Sequence, residues 1–254
     1  MVEPDEVTFA VEIAREAGAL TRTWFDDPGL AVEHKGDGSP VTEADRAAEV
    51  LLRERIEARF PADAIVGEEF ADRAGTSGRT WVLDPIDGTK SFTHGVPLFA
   101  TLVALIDADG PAVGVIDMSA LGETVWAGRD LGCHHNGSPT HVNERAELDD
   151  AWLMTSGVRV WRPGALERVI DAGVHVRTWA DAYGYLLVAT GRVDAMVDPV
   201  ANLWDLAAPA VIVTEAGGTF TDLAGSPTPH TGSGLATNGT IHDRWLTLLE
   251  DSAR

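Results

Sequence analysis

Several features that are common in proteins are missing from this sequence of 254 residues. It has one cysteine, Cys133, so no disulfide can form within the chain. No run of about 18 apolar residues occurs, which excludes a membrane-spanning helix. Residues 1–6 are acidic and lack the basic and apolar regions of a signal peptide, so we expect no secretion. The cytoplasm is therefore the expected compartment.

Basic residues are also scarce. The sequence has 19 Lys and Arg against 40 Asp and Glu, which gives a formal net charge of -21. Such a surface repels phosphate backbones and anionic lipids, so we expect neither nucleic acid nor a membrane as partner. If a protein this acidic binds an anionic phosphate, it needs metal ions or local positive dipoles. Hydrophobic residues make up 44% and charged residues 23%, which is typical of a globular protein.

The hydrophobic spacing predicts layered α and β structure rather than a regular βαβ series. Apolar residues recur at helical intervals over residues 6–25, and Thr42 is expected to cap a helix that runs to Phe60. Further helices are expected over residues 182–191, 205–216 and 242–251. Strands are expected over residues 31–35, 64–67, 80–84, 98–106, 111–117, 123–127, 151–155, 174–178 and 195–198. The charged stretch 143–150 predicts one catalytic unit made of two parts, residues 1–145 and 146–254.

Acidic residues stand at the positions that a metal site would need. Glu68 follows one predicted strand, Asp84 and Asp87 end the next, and Asp205 begins a later helix. Asp45 lies in the first turn of the second helix. Hard cations such as Mg²⁺ prefer carboxylate oxygens, carbonyls and water, so these residues are candidate ligands. Asp45 has a second interpretation, as the capping partner of a residue three positions earlier.

Residues 84–89 read DPIDGT, and this run favours a phosphate site. The proline stiffens the turn, so Asp84, Asp87 and the carbonyl of Ile86 can face one side. Gly88 lets the backbone approach a ligand closely. Thr89 begins a segment whose N–H groups would face an anion. Cations on one side and backbone donors on the other would form a cradle for phosphoryl transfer.

Together with two later motifs, these residues resemble the inositol monophosphatase family. The motifs are GEE at 67–69, WVLDPIDGT at 81–89, WDLAA at 204–208 and EAGG at 215–218. Their order and spacing also match, and the resemblance covers nearly the whole chain. It implies an α+β fold, a layered αβαβα sandwich with a largely antiparallel N-terminal sheet and a smaller C-terminal α/β sheet. It also implies a Mg²⁺-dependent phosphomonoesterase that forms a homodimer.

The resemblance assigns roles to individual residues. Two to three Mg²⁺ ions per site are implied, with Mn²⁺ as a possible substitute. Their implied ligands are Glu68, Asp84, the Ile86 carbonyl, Asp87 and Asp205, with Asp45 helping to hold a third, weaker ion. Glu68 and Thr89 would activate the attacking water, and Asp45 is counted with them as catalytic. The amides of Gly88 and Thr89 would hold the phosphate, and Asp205 would also contact the substrate.

The segment before the helix at 182 distinguishes substrates. Residues 179–185 read WADAYGY, where inositol-specific members carry small residues, and this resembles the branch that hydrolyses histidinol phosphate. The ammonium and imidazole of that substrate favour carboxylates near its organic part, and Asp181 and Asp198 are the candidates. Asp181 has an alternative role as a helix cap. Asp198 also falls where inositol phosphatases often place an acid that binds a hydroxyl.

Other functions stay open from the sequence. Inositol 1-phosphate is the second candidate substrate, and fructose bisphosphate or a 3′-phosphorylated nucleotide would suit a broader phosphatase of the same family. A catalytically silent relative that binds a phosphate ligand as a regulator is a further alternative. A silent relative is expected to have lost at least one catalytic residue. The complete set of Glu68, Asp84, Asp87, Thr89 and Asp205 therefore disfavours it.

Overall fold

The computed structural model describes residues 2–36, 38–179 and 181–250. Its helices are α1 (Pro4–Thr21), α2 (Glu43–Arg59), α3 (Thr89–Thr93), α4 (Ala165–Asp171), α5 (Ala182–Ala189), α6 (Leu203–Glu215) and α7 (His242–Leu248). Its strands are β1 (Val32–His34), β2 (Pro40–Thr42), β3 (Ala64–Gly67), β4 (Thr80–Asp87), β5 (Ala100–Asp107), β6 (Gly110–Met118), β7 (Glu123–Gly128), β8 (Gly132–His135), β9 (Ser138–Pro139), β10 (Trp152–Thr155), β11 (His175–Arg177), β12 (Ala195–Asp198), β13 (Thr219–Thr221) and β14 (Gly234–Thr237).

A seven-stranded sheet occupies the first half of the chain, in the order β3-β4-β5-β6-β7-β8-β9. β3 and β4 are parallel and the remaining neighbours are antiparallel. Side chains alternate between its two faces along each strand. On β4, Trp81 and Leu83 pack with α1 and α2, whereas Val82 packs with α5 and α6. Both faces of this sheet are therefore covered by helices.

A five-stranded sheet in the order β11-β10-β12-β14-β13 forms the second half. Here β11, β10 and β12 are parallel, while β14 pairs antiparallel with β12 and β13. Met154 and Met196 of this sheet pack against α5 and α6, and their neighbours Leu153 and Val197 pack against α4 and α7. The same two helices, α5 and α6, thus fill the space between the two sheets.

The layers follow in the order α1/α2, large sheet, α5/α6, small sheet and α4/α7. This confirms the α+β fold and the layered αβαβα sandwich that the resemblance implies. The strands of the two sheets lie within residues 64–139 and 152–237, while the predicted division at 145/146 stays a prediction. A separate hairpin, β1 and β2, lies before α2. None of the described helices is long and apolar enough to cross a lipid bilayer.

Several elements differ from the sequence-based prediction. Helix α1 ends at Thr21 rather than at residue 25, because Trp24 and Phe25 leave the helix and pack with Phe92 and Phe99. The ring centroids of Phe25 and Phe99 are 4.9 Å apart. Helices α3 and α4 and strands β2, β8, β9, β13 and β14 were not predicted, since each is short and lacks a clear hydrophobic period. Residue 251, the predicted end of α7, lies outside the described residues.

Candidate active site

The carboxyl ends of two adjacent strands bring Glu68 beside Asp84. Strands β3 and β4 are parallel, and Gly67 is opposite Leu83. The residues that follow this pair therefore emerge side by side at the same edge of the sheet. This register explains how two carboxylates from different segments reach one site.

A β-bulge in β4 brings Asp87 back to the side of Asp84. Asp84 pairs with Leu102 of β5 and Asp87 pairs with Ala100, so three steps on β4 match two on β5. On a regular strand, residues three apart point to opposite faces. The extra residue of the bulge cancels this difference. The two acids of the DPIDGT run can therefore serve a common site.

Asp205 completes the acidic cluster from α6. It lies in the first turn of that helix, where its Oδ2 accepts a hydrogen bond from the Asn202 amide at 2.6 Å. One carboxylate oxygen each from Asp84, Asp87 and Asp205 lie within 4.8 Å of one another. The same carboxyl therefore caps α6 and joins the acids of β4.

Burial and mutual repulsion raise the pKa values of all three clustered aspartates. For Asp84, burial is the main cause of the raised pKa, and the charges of Glu68 and Asp87 add to it. For Asp87, burial again comes first, and the charges of Asp181 and Asp205 follow. Burial raises the pKa of Asp205 to about 6. A bound cation would favour the charged form of each group and lower these pKa values.

The donor set fits a hard divalent cation. Asp84 is 1% exposed, and its Oδ1 is buried without a hydrogen-bond partner among the described residues. A buried carboxylate oxygen that is left unpaired is costly unless a cation binds it. The cluster offers only carboxylate oxygens. Such ligands bind hard cations, Mg²⁺ and Ca²⁺, in preference to softer metals. The residues present can therefore hold a metal ion.

Lys35 is a neighbour of the cluster that the sequence reasoning missed. Its Nζ lies 2.7 Å from Oε1 of Glu68 and 2.7 Å from Oε1 of Glu69. Burial nevertheless raises the pKa of Glu69 to about 7, because it outweighs the hydrogen bond from Lys35. Lys35 follows β1, so the small hairpin contributes a cation to the edge of the site. No motif signalled this contact.

Asp45 takes part both in the cap of α2 and in the site. Its Oδ2 accepts hydrogen bonds from the amide of Thr42 at 2.8 Å and from the hydroxyl of Thr42 at 2.6 Å. Its Oδ1 lies 3.3 Å from the hydroxyl of Thr89, which also lies 2.9 Å from the carbonyl of Ile86. The capping interpretation is confirmed by this geometry, while the metal role of Asp45 stays a prediction. Burial raises the pKa of the Asp45 carboxyl.

Both the backbone conformation at position 88 and the atoms around it require glycine. Its φ of 82° lies in the left-handed region, at the point where α3 begins. A Cβ at this position would lie 2.8 Å from the carbonyl of Leu98 and 3.1 Å from Oδ2 of Asp181. The absence of a side chain therefore lets Asp181 approach the start of α3.

A pocket of about 170 Å³ adjoins the acidic cluster. Its polar lining consists of Asp87, Ser156, Asp181, Tyr185, Asp198 and Asp205. The Ser156 hydroxyl donates to Oδ1 of Asp198, and the Tyr185 hydroxyl donates to Oδ2 of Asp198 at 2.9 Å. Burial raises the pKa of Asp198 to about 7.

Asp181 occupies the cap position of α5 without capping it through its side chain. Its φ of 53° is unusual for a residue other than glycine, and its carboxyl makes no capping hydrogen bond. Instead the first amide of α5, from Ala182, donates to Oδ2 of Asp87. The alternative role of Asp181 as a side-chain cap is therefore wrong, and its carboxyl is left to the pocket. Burial raises the pKa of this carboxyl, while the charge of Lys90 opposes the increase.

The structure thus brings together the residues that the motifs predicted, and it adds Lys35, Ser156 and Tyr185. Ser156 could have been suspected, because it directly follows β10 and strand ends converge on the site. Tyr185 lies one helical turn after Asp181, which places both on one side of α5. Tyr185 ends the WADAYGY segment but was assigned no role, and Ser156 belongs to no recognised motif.

Comparison with known proteins identifies the family of this chain. The profile of the inositol monophosphatase family matches residues 3–254. A histidinol-phosphatase from Streptomyces coelicolor is 43% identical, with 96% of this chain and 97% of the relative covered. One from Mycobacterium tuberculosis is 42% identical, with 96% and 98% covered.

A solved structure, an IMPase from Thermotoga maritima, is 31% identical and superposes with a TM-score of 0.88 over 96% of both chains. Sequence similarity to the two histidinol-phosphatases therefore extends over nearly the whole chain, and the fold is shared with the solved IMPase. The motif-based prediction is confirmed, and the chain belongs to the inositol monophosphatase family of phosphatases.

Proposed function

We propose that this protein is a Mg²⁺-dependent phosphomonoesterase that hydrolyses histidinol phosphate to histidinol and phosphate. One observation carries the proposal: the pocket that contains Asp181 and Asp198 also includes Asp87 and Asp205 of the acidic cluster. A phosphate at the cluster would place the organic part of the substrate against two further carboxylates. Such carboxylates attract the ammonium and imidazole groups of histidinol. The relatives named histidinol-phosphatase support the same substrate.

The metal ligands in this proposal are the cluster of Asp84, Asp87 and Asp205 and residues close to it. Two to three Mg²⁺ ions would be held by Glu68, Asp84, the Ile86 carbonyl, Asp87 and Asp205, with Asp45 at a weaker position. When bound, the ions would offset the negative charge of the site and of the reacting phosphate. The unpaired Oδ1 of Asp84 supports this assignment.

Glu68 and Thr89 would orient and deprotonate the attacking water. The Thr89 hydroxyl has one proton, and either the Ile86 carbonyl or the Asp45 carboxylate accepts it. Its oxygen lone pairs can then accept a hydrogen bond from a water molecule. The carboxylate of Glu68 would take the proton that this water loses. The amides of Gly88 and Thr89 would hold the phosphate at the start of α3.

Two carboxylates would contact the organic end of the substrate. One is held in place by hydrogen bonds, and the other is freer to bind the substrate. Both oxygens of Asp198 already accept hydrogen bonds, from Ser156 and Tyr185, so its orientation is fixed. Asp181 forms fewer such contacts and lies nearer the start of α3. We therefore assign Asp181 the main contact with the cationic group. The volume of about 170 Å³ also suits a small substrate better than a nucleotide.

A phosphate-release panel tests the proposal. The purified enzyme would be assayed with histidinol phosphate, inositol 1-phosphate, fructose 1,6-bisphosphate and adenosine 3′,5′-bisphosphate, with Mg²⁺, with Mn²⁺ and with chelator. We expect the highest kcat/KM for histidinol phosphate, no activity with chelator and recovery with Mg²⁺. Preference for inositol 1-phosphate would refute the substrate assignment alone. Full activity without metal would refute the mechanism. We also propose a homodimer, which light scattering of the eluted enzyme tests.

A further inference from the structure

Glu49 is a buried acid next to the site that the mechanism above does not use. It lies on α2, one helical turn after Asp45, and its side chain is 0% exposed. Its Oε1 accepts a hydrogen bond from Nε of Arg53 at 2.7 Å. Its Oε2 accepts one from the backbone amide of Glu69, also at 2.7 Å. The carboxylate therefore connects α2 to the segment that follows β3.

The same segment is held at two further points. A Cβ on Gly67 would lie 2.1 Å from Oε1 of Glu49, so only glycine permits this approach. Arg53 donates from Nη2 to the carbonyl of Phe70 at 3.2 Å, and its guanidinium lies 5.9 Å from the centre of the Phe70 ring. Contacts are thus made at residues 67, 69 and 70. The residue between them is Glu68.

The hydrogen bond to the Glu69 amide acts directly on Glu68. That amide belongs to the planar peptide unit that joins Glu68 to Glu69, so the bond restrains the orientation of this unit and with it the ψ angle of Glu68. The side chain of Glu68 is directed by this backbone angle. A buried ion pair is not in general more stabilising than well-packed apolar side chains of similar size. Stability alone therefore gives a weak reason for two charged residues here.

We infer that Glu49 and Arg53 are positioning residues that hold Glu68 in the orientation that binds metal. The inference rests on the proposed role of Glu68 as a metal ligand. Because Asp45 lies on the same helix, α2 sets the positions of both Asp45 and Glu68 relative to the acids of β4. The pair acts through the backbone of residues 67–70 and does not itself touch substrate.

Replacement of Glu49 by glutamine tests the inference with little change in volume. A glutamine places an NH2 group where one carboxylate oxygen was, so either Arg53 or the Glu69 amide would face a donor instead of an acceptor. Outer partners of metal ligands typically contribute 10–100-fold in metal affinity, so we expect the Kd for Mg²⁺ to rise by about that factor. Titration calorimetry with Mg²⁺ measures this directly. At saturating Mg²⁺, kcat should return to within about threefold of the wild-type value.

Two reference variants make the result decisive. Glu57→Gln removes an exposed acid on the same helix, 3.5 Å from Arg73, and should leave the Kd for Mg²⁺ unchanged. Glu68→Gln should weaken Mg²⁺ binding at least as much as Glu49→Gln. If Glu68→Gln binds Mg²⁺ like the wild type, the ligand assignment fails, and with it the basis of the inference.

If Glu68→Gln weakens binding while Glu49→Gln changes only the melting temperature, the positioning role is refuted. Should Glu49→Gln not fold, Arg53→Lys decides, since lysine can pair with Glu49 but cannot also reach the Phe70 carbonyl as the guanidinium fork does. A Kd raised severalfold in Arg53→Lys supports the inference. An unchanged Kd in that variant overturns it.

Discussion

Replacing Asp181 by asparagine should change the preference of the enzyme between phosphoesters. Asparagine keeps the size of the side chain and, like aspartate, tolerates a positive φ, which is 53° here. Alanine at this position would add backbone strain to the loss of charge. The substitution therefore removes a negative charge from the pocket and leaves the geometry close to that of the wild type.

The size of the effect follows from simple electrostatics. Two unit charges 4 Å apart attract each other by about 4 kcal/mol at an effective dielectric constant near 20. Asp198 remains in the pocket and offsets part of the loss, so we expect a cost between about 1.4 and 4 kcal/mol. Each 1.4 kcal/mol corresponds to about tenfold. The kcat/KM for histidinol phosphate should therefore fall by roughly 10- to 1000-fold.

A phosphoester whose organic part is uncharged should respond differently. Oδ2 of Asp181 lies 3.1 Å from where a Cβ of Gly88 would be, close to the backbone assigned to the phosphate. Asp181 also offsets the charge of Lys90. Removing its negative charge should leave phosphate binding unchanged or improve it. The kcat/KM for inositol 1-phosphate should therefore stay constant or rise by a few-fold.

Steady-state phosphate release with both substrates, at saturating Mg²⁺, measures the change in preference. Asp130→Asn is a matched control, because Asp130 has a φ of 66° and is exposed in the turn between β7 and β8. It should alter neither kcat/KM. Equal losses on both substrates in Asp181→Asn would show that Asp181 supports the fold of α5 rather than the substrate, and would refute the reasoning.

Three further substitutions test the site and its surroundings. Asp84→Asn should lower turnover at least 100-fold, because a neutral amide cannot balance the cations, and near-normal phosphate release at moderate Mg²⁺ would contradict this. Asp45→Asn should raise the Mg²⁺ concentration for half-maximal activity and cost about 1 kcal/mol of stability through the cap with Thr42; an unchanged Mg²⁺ curve would argue against its metal role. Burial raises the pKa of Asp117 from 3.8 to about 6, so the wild type should lose about 3 kcal/mol relative to Asp117→Asn as pH rises from 4 through 6. Thermal unfolding of both proteins in chelator checks this, and a constant difference between them would count against it.

Two acids of the site could be predicted because their spacing is local. Asp84 and Asp87 lie in one short motif at the end of a predicted strand, where both side chains can reach a ligand. The bulge that aligns them could not be predicted, because it depends on the register with β5. Asp205 was identified by its motif, but its place in the cluster depends on how α6 packs between the sheets.

The residues that were missed act over long separations in sequence. Lys35 reaches Glu68 from the hairpin, and Ser156 reaches Asp198 from the next strand of the small sheet. Glu49 offered a signal, because it is an acid on the buried side of α2, between the core residues Ala48 and Leu52. A buried acid needs a hydrogen-bond partner, but the sequence does not show which backbone amide will provide it.

The hydrogen bond from the amide of Ala182 to Asp87 has a consequence for how substrate preference diverges within a family. The anchor of α5 is a main-chain N–H, which every residue except proline provides. Side chains along the pocket face of α5 can therefore be exchanged without loss of this hydrogen bond. Asp87, which accepts it, then keeps its position. One unchanged reaction centre can in this way be combined with many different recognition surfaces.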